Sequence, residues 1–443
     1  MENIPFKSPY TPNTGSDRRQ MLEVIGVSDP DELFEDIPEG YRNPVLDLPG
    51  SMSEMELSSY ANQLSKMNIT PGEYACFLGA GSYRHHIPAI VSRLAGRSEY
   101  MTSYTPYQPE VSQGTLQTEY EFQTLCSQLT GMEVANAGMY DGSTSLAEGA
   151  LMAARVTRRD KIAVLDTVSQ RFIEVLHTYT RSQGITVEVV SSNDTEISEG
   201  TAALIVQTPN FYGYIEDVDR YSKLIHDKGG LFVVYVDPVS LGMFKPPSDY
   251  DADIVAAEGQ AIGIPPTFGG PYVGIFACKE RYIRQMPGRI VGKTVDSEGK
   301  TAYVLTLQTR EQHIRREKAT SNICTSVALI ALMTTIYMAA LGKSGMKQLA
   351  QMSYHKAHYA ASLIDQLPRY KIPIDGIFFR EFVVQCPVSP VSVNEQLMGQ
   401  GIIGGLDVSD RYDNGMLVCV TDVNTKEEID MLVKSLAEIG DSG

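Results

Sequence analysis

Leu231-Phe232-Val233-Val234-Tyr235-Val236 is an unbroken apolar run that ends on Asp237 and Pro238. Its β-branched and aromatic residues predict a strand covered on both faces, since a half-exposed strand would alternate apolar with polar. Further strand candidates lie on either side, at Glu133–Ala137, Lys161–Leu165, Thr186–Val190, Ala202–Gln207, Asp253–Ala256 and Tyr272–Ala277. Helical patterns separate several of them, around Ser143–Arg158, Ser169–Arg181 and Tyr221–Asp227. Strands alternating with helices predict an α/β fold with a mostly parallel sheet and helices on both faces. Ligands of such sheets bind at the carboxyl ends of the strands.

Outward from that centre the chain divides into three expected parts. Residues 1–70 read as a helical arm: Ser53-Glu54-Met55-Glu56 is a capping box that opens a helical run to Met67, after a stretch punctuated by Pro38, Pro44, Pro49 and Gly50. Residues 71–344 hold the large α/β domain, and 345–443 a smaller C-terminal α/β domain. In the latter a helical pattern over Ser344–Leu367 precedes strand-like Gly376–Gln385, helix Val393–Gly399, strand Met416–Val420 and helix Lys426–Ile439.

Composition narrows the function classes. Lys plus Arg number 37 against 54 Asp plus Glu, a net charge of −17, which disfavours nucleic acid and anionic membrane surfaces. The six cysteines form no C-x-x-C pair and read as buried, reduced thiols. The sequence opens without an apolar signal region, and the longest apolar stretch, Val327–Leu341, falls short of the roughly 20 residues that span a bilayer. A cytoplasmic, soluble protein is expected. His85-His86 is not a metal pair, because adjacent side chains diverge, and no metal site is expected.

Two features mark the strand ends. Asp141-Gly142-Ser143-Thr144-Ser145 follows a strand and opens a helix, so Ser143 and Thr144 are candidates to hold a phosphate at a helix N-terminus; an ordinary N-cap is the alternative. Asp237, at its strand's carboxyl end, is placed to pair with a pyridinium nitrogen, as pyridoxal phosphate enzymes require, or to act as a turn aspartate. In that order the two give the layout of a fold-type I pyridoxal phosphate enzyme. Such an enzyme needs a Schiff-base lysine after the next strand, where Ala257-Glu258-Gly259-Gln260-Ala261-Ile262 has none. Lys245 and Lys279 flank the region, and Lys279 is the weak substitute.

The segments FLGAGSYRHHIPAIV (77–91), YTPYQPEVSQGTLQTEYEFQ (104–123), ANAGMYDGSTSLAEGALMAAR (135–155), VDPVSLGMFKPPSDYDADIVAAEGQAIGIPPTFGGPYVGIFA (236–277) and LQTREQHIRREKATSNICT (307–325) resemble the N-terminal half of the glycine cleavage system P-protein, glycine decarboxylase. The resemblance covers about 75–330. It implies that the cofactor lysine lies in the second half or in a separate partner, glycine dehydrogenase subunit 2 (beta). It also implies that Ala261 stands near the lysine position here, with no catalytic residue in this chain and no covalently bound pyridoxal phosphate. The implied reaction decarboxylates glycine and passes the aminomethyl group to the lipoyl arm of H-protein, in an expected assembly of two copies of each subunit.

Tyr104, Thr105, Tyr107 and Gln108 lie on a loop stiffened by Pro106 and Pro109. They are candidates to line the active site, with Tyr83, Arg84 and His85 as weaker ones; a packed surface loop is the alternative. Arg310, Arg315, Arg316 and Lys318 form a basic cluster in an acidic chain, read either as a docking site for an anionic partner or as a solvated face satisfied by Glu311 and Glu317. Two other functions stay open: a self-sufficient aminotransferase or decarboxylase using Lys279, and a non-enzymatic regulatory scaffold.

Overall fold

The computed structural model describes residues 13–42, 44–323 and 326–442. The chain divides into two units, Met1–Ile69 and Thr70–Gly443. In the first, Ser53 and Glu56 form the expected reciprocal cap: Ser53 N donates to Glu56 Oε2 at 2.8 Å and Glu56 N to Ser53 Oγ at 3.3 Å, opening helix Glu54–Ser65. Thr14 and Asp17 cap helix Gly15–Ile25 in the same way. No described residue of 13–69 is buried.

The strands of the second unit are, in chain order, β1 (Ala75–Cys76), β2 (Val134–Ala135), β3 (Lys161–Leu165), β4 (Thr186–Val190), β5 (Thr201–Thr208), β6 (Leu231–Val236), β7 (Ile254–Glu258), β8 (Gly274–Cys278), β9 (Ile290–Val295), β10 (Thr301–Thr306), β11 (Glu381–Gln385), β12 (Ile402–Ile403), β13 (Leu406–Asp407) and β14 (Gly415–Cys419). Seven form one sheet in the order β2-β8-β7-β6-β5-β3-β4. β4, β3, β5, β6 and β7 run parallel, and β8 is antiparallel to both neighbours. Every residue of β5 and β6 is buried, as a sheet clothed on both faces requires.

A second core lies around the antiparallel β11-β14-β13 sheet, where Phe77, Ala360, Phe382, Val418 and Leu432 pack together. β1 pairs with β12, so residues just after the arm join this core and not the large sheet. Ala328–Ile364 is two helices joined across a kink at Gly342, whose φ 58° and ψ −175° are not helical, two residues before the expected boundary at 344/345. By length and composition this is the one described helical stretch apolar enough to cross a membrane. Ala331, Tyr337, Ala350 and Ala361 from both its halves are buried. The hairpin β9–β10 has no counterpart among the predicted strands: only Ile290 and Val291 of β9 and no residue of β10 are buried, so it lacks the apolar run that marks the others.

The loop after β5 approaches the start of β11 closely at Gly213 (φ +92°), where an added Cβ would lie 2.0 Å from the Glu381 carbonyl oxygen. Gly200 (φ +77°) has open space around it. Both positions strain a side chain, but only Gly213 adds a backbone clash. Urea unfolding is therefore expected to show Gly200→Ala costing about 1 kcal/mol and Gly213→Ala about 2 kcal/mol more; equal losses would mean the approach at Gly213 is loose.

Candidate active site

β3, β5, β6 and β7 end along one edge of the sheet, bringing Ser169, Asn210, Asp237, Glu258, Gln260 and Ala261 to a common cavity. Ala80, Gly81 and Tyr83 close it from the segment after β1, and Phe379, Arg380 and Glu381 from the start of β11. The cavity is about 40 Å³, enough for roughly three waters at about 10–15 Å³ each.

Arg380 fills the centre. Its side chain is 2% exposed, its Nη2 forms an ion pair with Asp237 Oδ2, its Nη1 donates to His85 Nε2, and its guanidinium lies 3.4 Å over the Tyr83 ring. Because arginine is only a donor, His85 carries its proton on Nδ1 and gives it to Asp422 Oδ1 at 2.5 Å. Burial, with the Arg380 charge beside it, holds the imidazole below its ordinary pKa. Burial opposes ionisation of Asp422, but the bonds from His85 and from His86 N keep that carboxyl below its usual value. Asp237 Oδ1 accepts from Val239 N at 2.9 Å. Glu381 accepts from Ala80 N at 2.6 Å and from the Tyr83 hydroxyl at 2.7 Å, and burial raises its pKa.

The helix N-terminus beside this pocket is closed by carboxylates. Helix Gly142–Thr157 starts from Asp141, whose Oδ1 accepts from Thr144 N at 2.8 Å and from Ser143 Oγ at 2.7 Å, while Thr144 Oγ1 accepts from Asp141 N. Glu258 Oε2 accepts from Gly142 N at 2.9 Å. Burial, opposed by the N–H groups of Gly142 and Gln260, brings the Glu258 pKa up to about 7. The structure thus gives Ser143 and Thr144 to the cap and not to a phosphate. Gln260, next to Ala261, accepts from Tyr83 N at 2.7 Å and donates to Tyr83 O and Ile264 O, both at 2.8 Å. With no lysine in its lining, a carboxylate on the helix terminus and Asp237 already paired, the pocket does not fit pyridoxal phosphate.

The other candidates fall elsewhere. Lys279 pairs with Asp251 at 2.7 Å and Asp253 at 2.8 Å. Asp253 precedes β7, so Lys279 is at the amino end of the parallel strands, opposite the pocket, which removes the self-sufficient alternative built on it. Lys245 is exposed, 3.5 Å from Asp219. Arg310 corrects the docking expectation: it is 8% exposed and donates to the carbonyls of Leu307, Gly288 and Met286, so it is a structural clamp. Arg315, Arg316 and Lys318 are exposed, and Glu311, expected to satisfy them, is buried against Arg289 and His313. Tyr104 and Tyr107 are 71% and 73% exposed, Gln108 is exposed, and Thr105 is buried, accepting a hydrogen bond from Arg289. None of the four lines the pocket described above. Tyr83 and His85 do belong to its wall and its support.

Arg380, Glu381, Asp422 and Glu258 are absent from the sequence-derived site. Glu258 carries the same signal as Asp237, a carboxylate closing an apolar strand, and could have been found by it. Among the described residues no group of three His, Cys, Asp or Glu side chains is placed to hold a metal ion. Five cysteines are free and buried, and Cys324 lies outside the described residues, as do residues 1–12.

A family model described as glycine cleavage system P-protein matches residues 8–436. The Thermomicrobium roseum protein named probable glycine dehydrogenase (decarboxylating) subunit 1 is 48% identical, over 97% of this chain and 99% of that protein. The Desulfitobacterium hafniense protein of the same name is 50% identical with the same coverage. A crystal structure of glycine decarboxylase (P-protein) of the glycine cleavage system, in inhibitor-bound form, matches with TM-score 0.93 and 39% identity over 98% of this chain and 100% of that one. A cysteine desulfurase from Thermococcus onnurineus NA1, 16% identical with TM-score 0.62 over 89% of this chain, shares the fold.

A carboxyl whose folded pKa lies above its unfolded value binds its proton more tightly when folded. Its contribution to stability is full below the unfolded value and is lost as pH rises through the folded one. For Glu258 that window runs from about 4.5 to about 7. Glu258→Gln removes the titration, so the stability of the variant relative to the parent is expected to rise across this window by on the order of 3 kcal/mol, whatever the constant offset from the altered hydrogen bonds. Urea unfolding at pH 5 and pH 8 measures it, and a pH-independent difference would contradict the assignment.

Proposed function

The chain belongs to the glycine cleavage system P-protein family, and from that premise we propose that it is the non-lysine subunit of a two-subunit glycine decarboxylase. Its structural neighbours are enzymes of the pyridoxal phosphate-dependent fold. In this proposal the cofactor is held by the lysine-bearing partner, subunit 2. Glycine is decarboxylated there, and the aminomethyl group passes to the lipoyl arm of H-protein. The observation that carries the assignment is the end of β7, where Glu258-Gly259-Gln260-Ala261 brings an amide and a methyl group, and no lysine, to the pocket.

The contribution of this chain is then a wall of the partner's site. Thr105, fixed by buried Arg289, anchors the loop, and Pro106 and Pro109 stiffen it, so Tyr104, Tyr107 and Gln108 stand outward with little ordering cost. Phenol and amide groups can hydrogen-bond a carboxylate while the ring bodies exclude water from it. Replacing water around the glycine carboxylate by fixed dipoles favours loss of carbon dioxide. Arg315, Arg316 and Lys318, exposed on a segment anchored by buried Arg310, are proposed to dock an anionic partner. The assembly is proposed to hold two copies of each subunit, and the unpaired cysteines support a cytoplasmic setting.

Glycine–bicarbonate carbon exchange tests this. Neither subunit alone should exchange, and the mixture should; exchange by this chain alone contradicts the proposal, and exchange by the partner alone would reduce this chain to a scaffold. Tyr104→Phe and Tyr107→Phe each remove only a hydroxyl and keep the ring, so assembly should survive. Exchange is expected to fall about tenfold or more, the equivalent of one hydrogen bond of about 1.4 kcal/mol in the transition state. Full rates in both assembled variants would make the loop mere packing.

A further inference from the structure

We propose that the pocket of this chain is self-liganded: the Glu258 carboxylate stands on the N-terminus of helix Gly142–Thr157 where a phosphate would sit, and Arg380 faces Asp237 where a ring cation would. The proposal deepens the assignment of the cofactor to the partner, but its test needs neither partner nor cofactor.

Three observations carry it. Glu258 takes up the donors that an anion there would use, Gly142 N of the helix terminus at 2.9 Å and Gln260 N of the loop after β7 at 3.0 Å. The helix field favours negative charge at that point, and once a carboxylate occupies it the same point repels a phosphate. Gly142 is shaped to this side chain: an added Cβ would lie 2.9 Å from Glu258 Cβ and 2.8 Å from Tyr235 Oη. The missing side chain makes room for Glu258 and leaves no cradle for a ligand. Arg380 is pinned by Asp237, His85 and the Tyr83 ring. A cationic ring approaching Asp237 would have to displace a guanidinium already buried, or bury a second cation beside it.

The consequence is mechanical. Asp237 of the large core and Arg380 of the second core bridge each other directly, and Glu381 ties in Ala80 and Tyr83. The faces of this subunit are therefore set without any ligand.

Thermal unfolding of the full chain in inorganic phosphate, against chloride at matched ionic strength, tests the substitution. The parent should show no phosphate-specific shift. Glu258→Ser and Glu258→Ala free the Gly142 N–H and the space before it, so about 10 mM phosphate should raise their Tm by about 2 °C and broaden the phosphorus NMR line. A variant that folds only in phosphate supports the proposal equally. Folded variants that ignore phosphate, a parent that binds it, or failure of both variants to fold in either salt would overturn it.

Discussion

Arg380 is a buried cation at the start of β11 touched by groups from the end of β6 and from the segment Ala80 to His86, and that constraint organises the second unit. Taking a guanidinium out of water costs several kcal/mol, which only good geometry offsets. Asp237 supplies the counter-charge, the Tyr83 ring a π face, and His85 an acceptor. Each of these is itself held: Asp237 by Val239 N, Tyr83 by Gln260 and Glu381, His85 by Asp422. The end of β6 and the segment from Ala80 to His86 are thereby placed against one charge at the start of β11, and the loop after β7 is tied to it through Tyr83. Removing Asp237 leaves a buried charge uncompensated, a loss of about 3–5 kcal/mol by analogy with other broken buried pairs.

The same network explains how a ligand-binding fold persists in a chain whose pocket does not fit the ligand. Burying carboxylates such as Glu258 and Glu381 is unfavourable for their charged forms, and both pKa values rise. The helix terminus and the backbone N–H groups of Gly142, Gln260 and Ala80 reduce that cost by serving as donors that would otherwise need a bound anion. The pocket keeps the architecture of the fold and satisfies it internally.

The sheet was legible because its signals are local. Leu231–Val236 is apolar throughout and is buried throughout, and Asp237 stands where a strand-end carboxylate was expected. The Ser53–Glu56 cap and the Asp141 cap were legible for the same reason, since three-residue spacing fixes both. Arg380, Asp422 and Glu381 were not, because their partners lie hundreds of residues away in His85, Tyr83 and Ala80, and no spacing rule links them. Arg310 misled for a related reason: a run of cations along the chain does not tell which one turns inward to the carbonyls of Leu307 and Gly288. The hairpin β9–β10 escaped notice because its mostly unburied strands lack an apolar run.

The division of labour between a cofactor-bearing partner and this self-satisfied subunit is tested most directly by chemical trapping. The assembled pair is loaded with pyridoxal phosphate, reduced with borohydride, digested, and its pyridoxyl-lysine mapped by mass spectrometry. The account predicts a stoichiometric adduct on the partner and none on this chain, Lys245 and Lys279 included. A stoichiometric adduct on any lysine of this chain would contradict it.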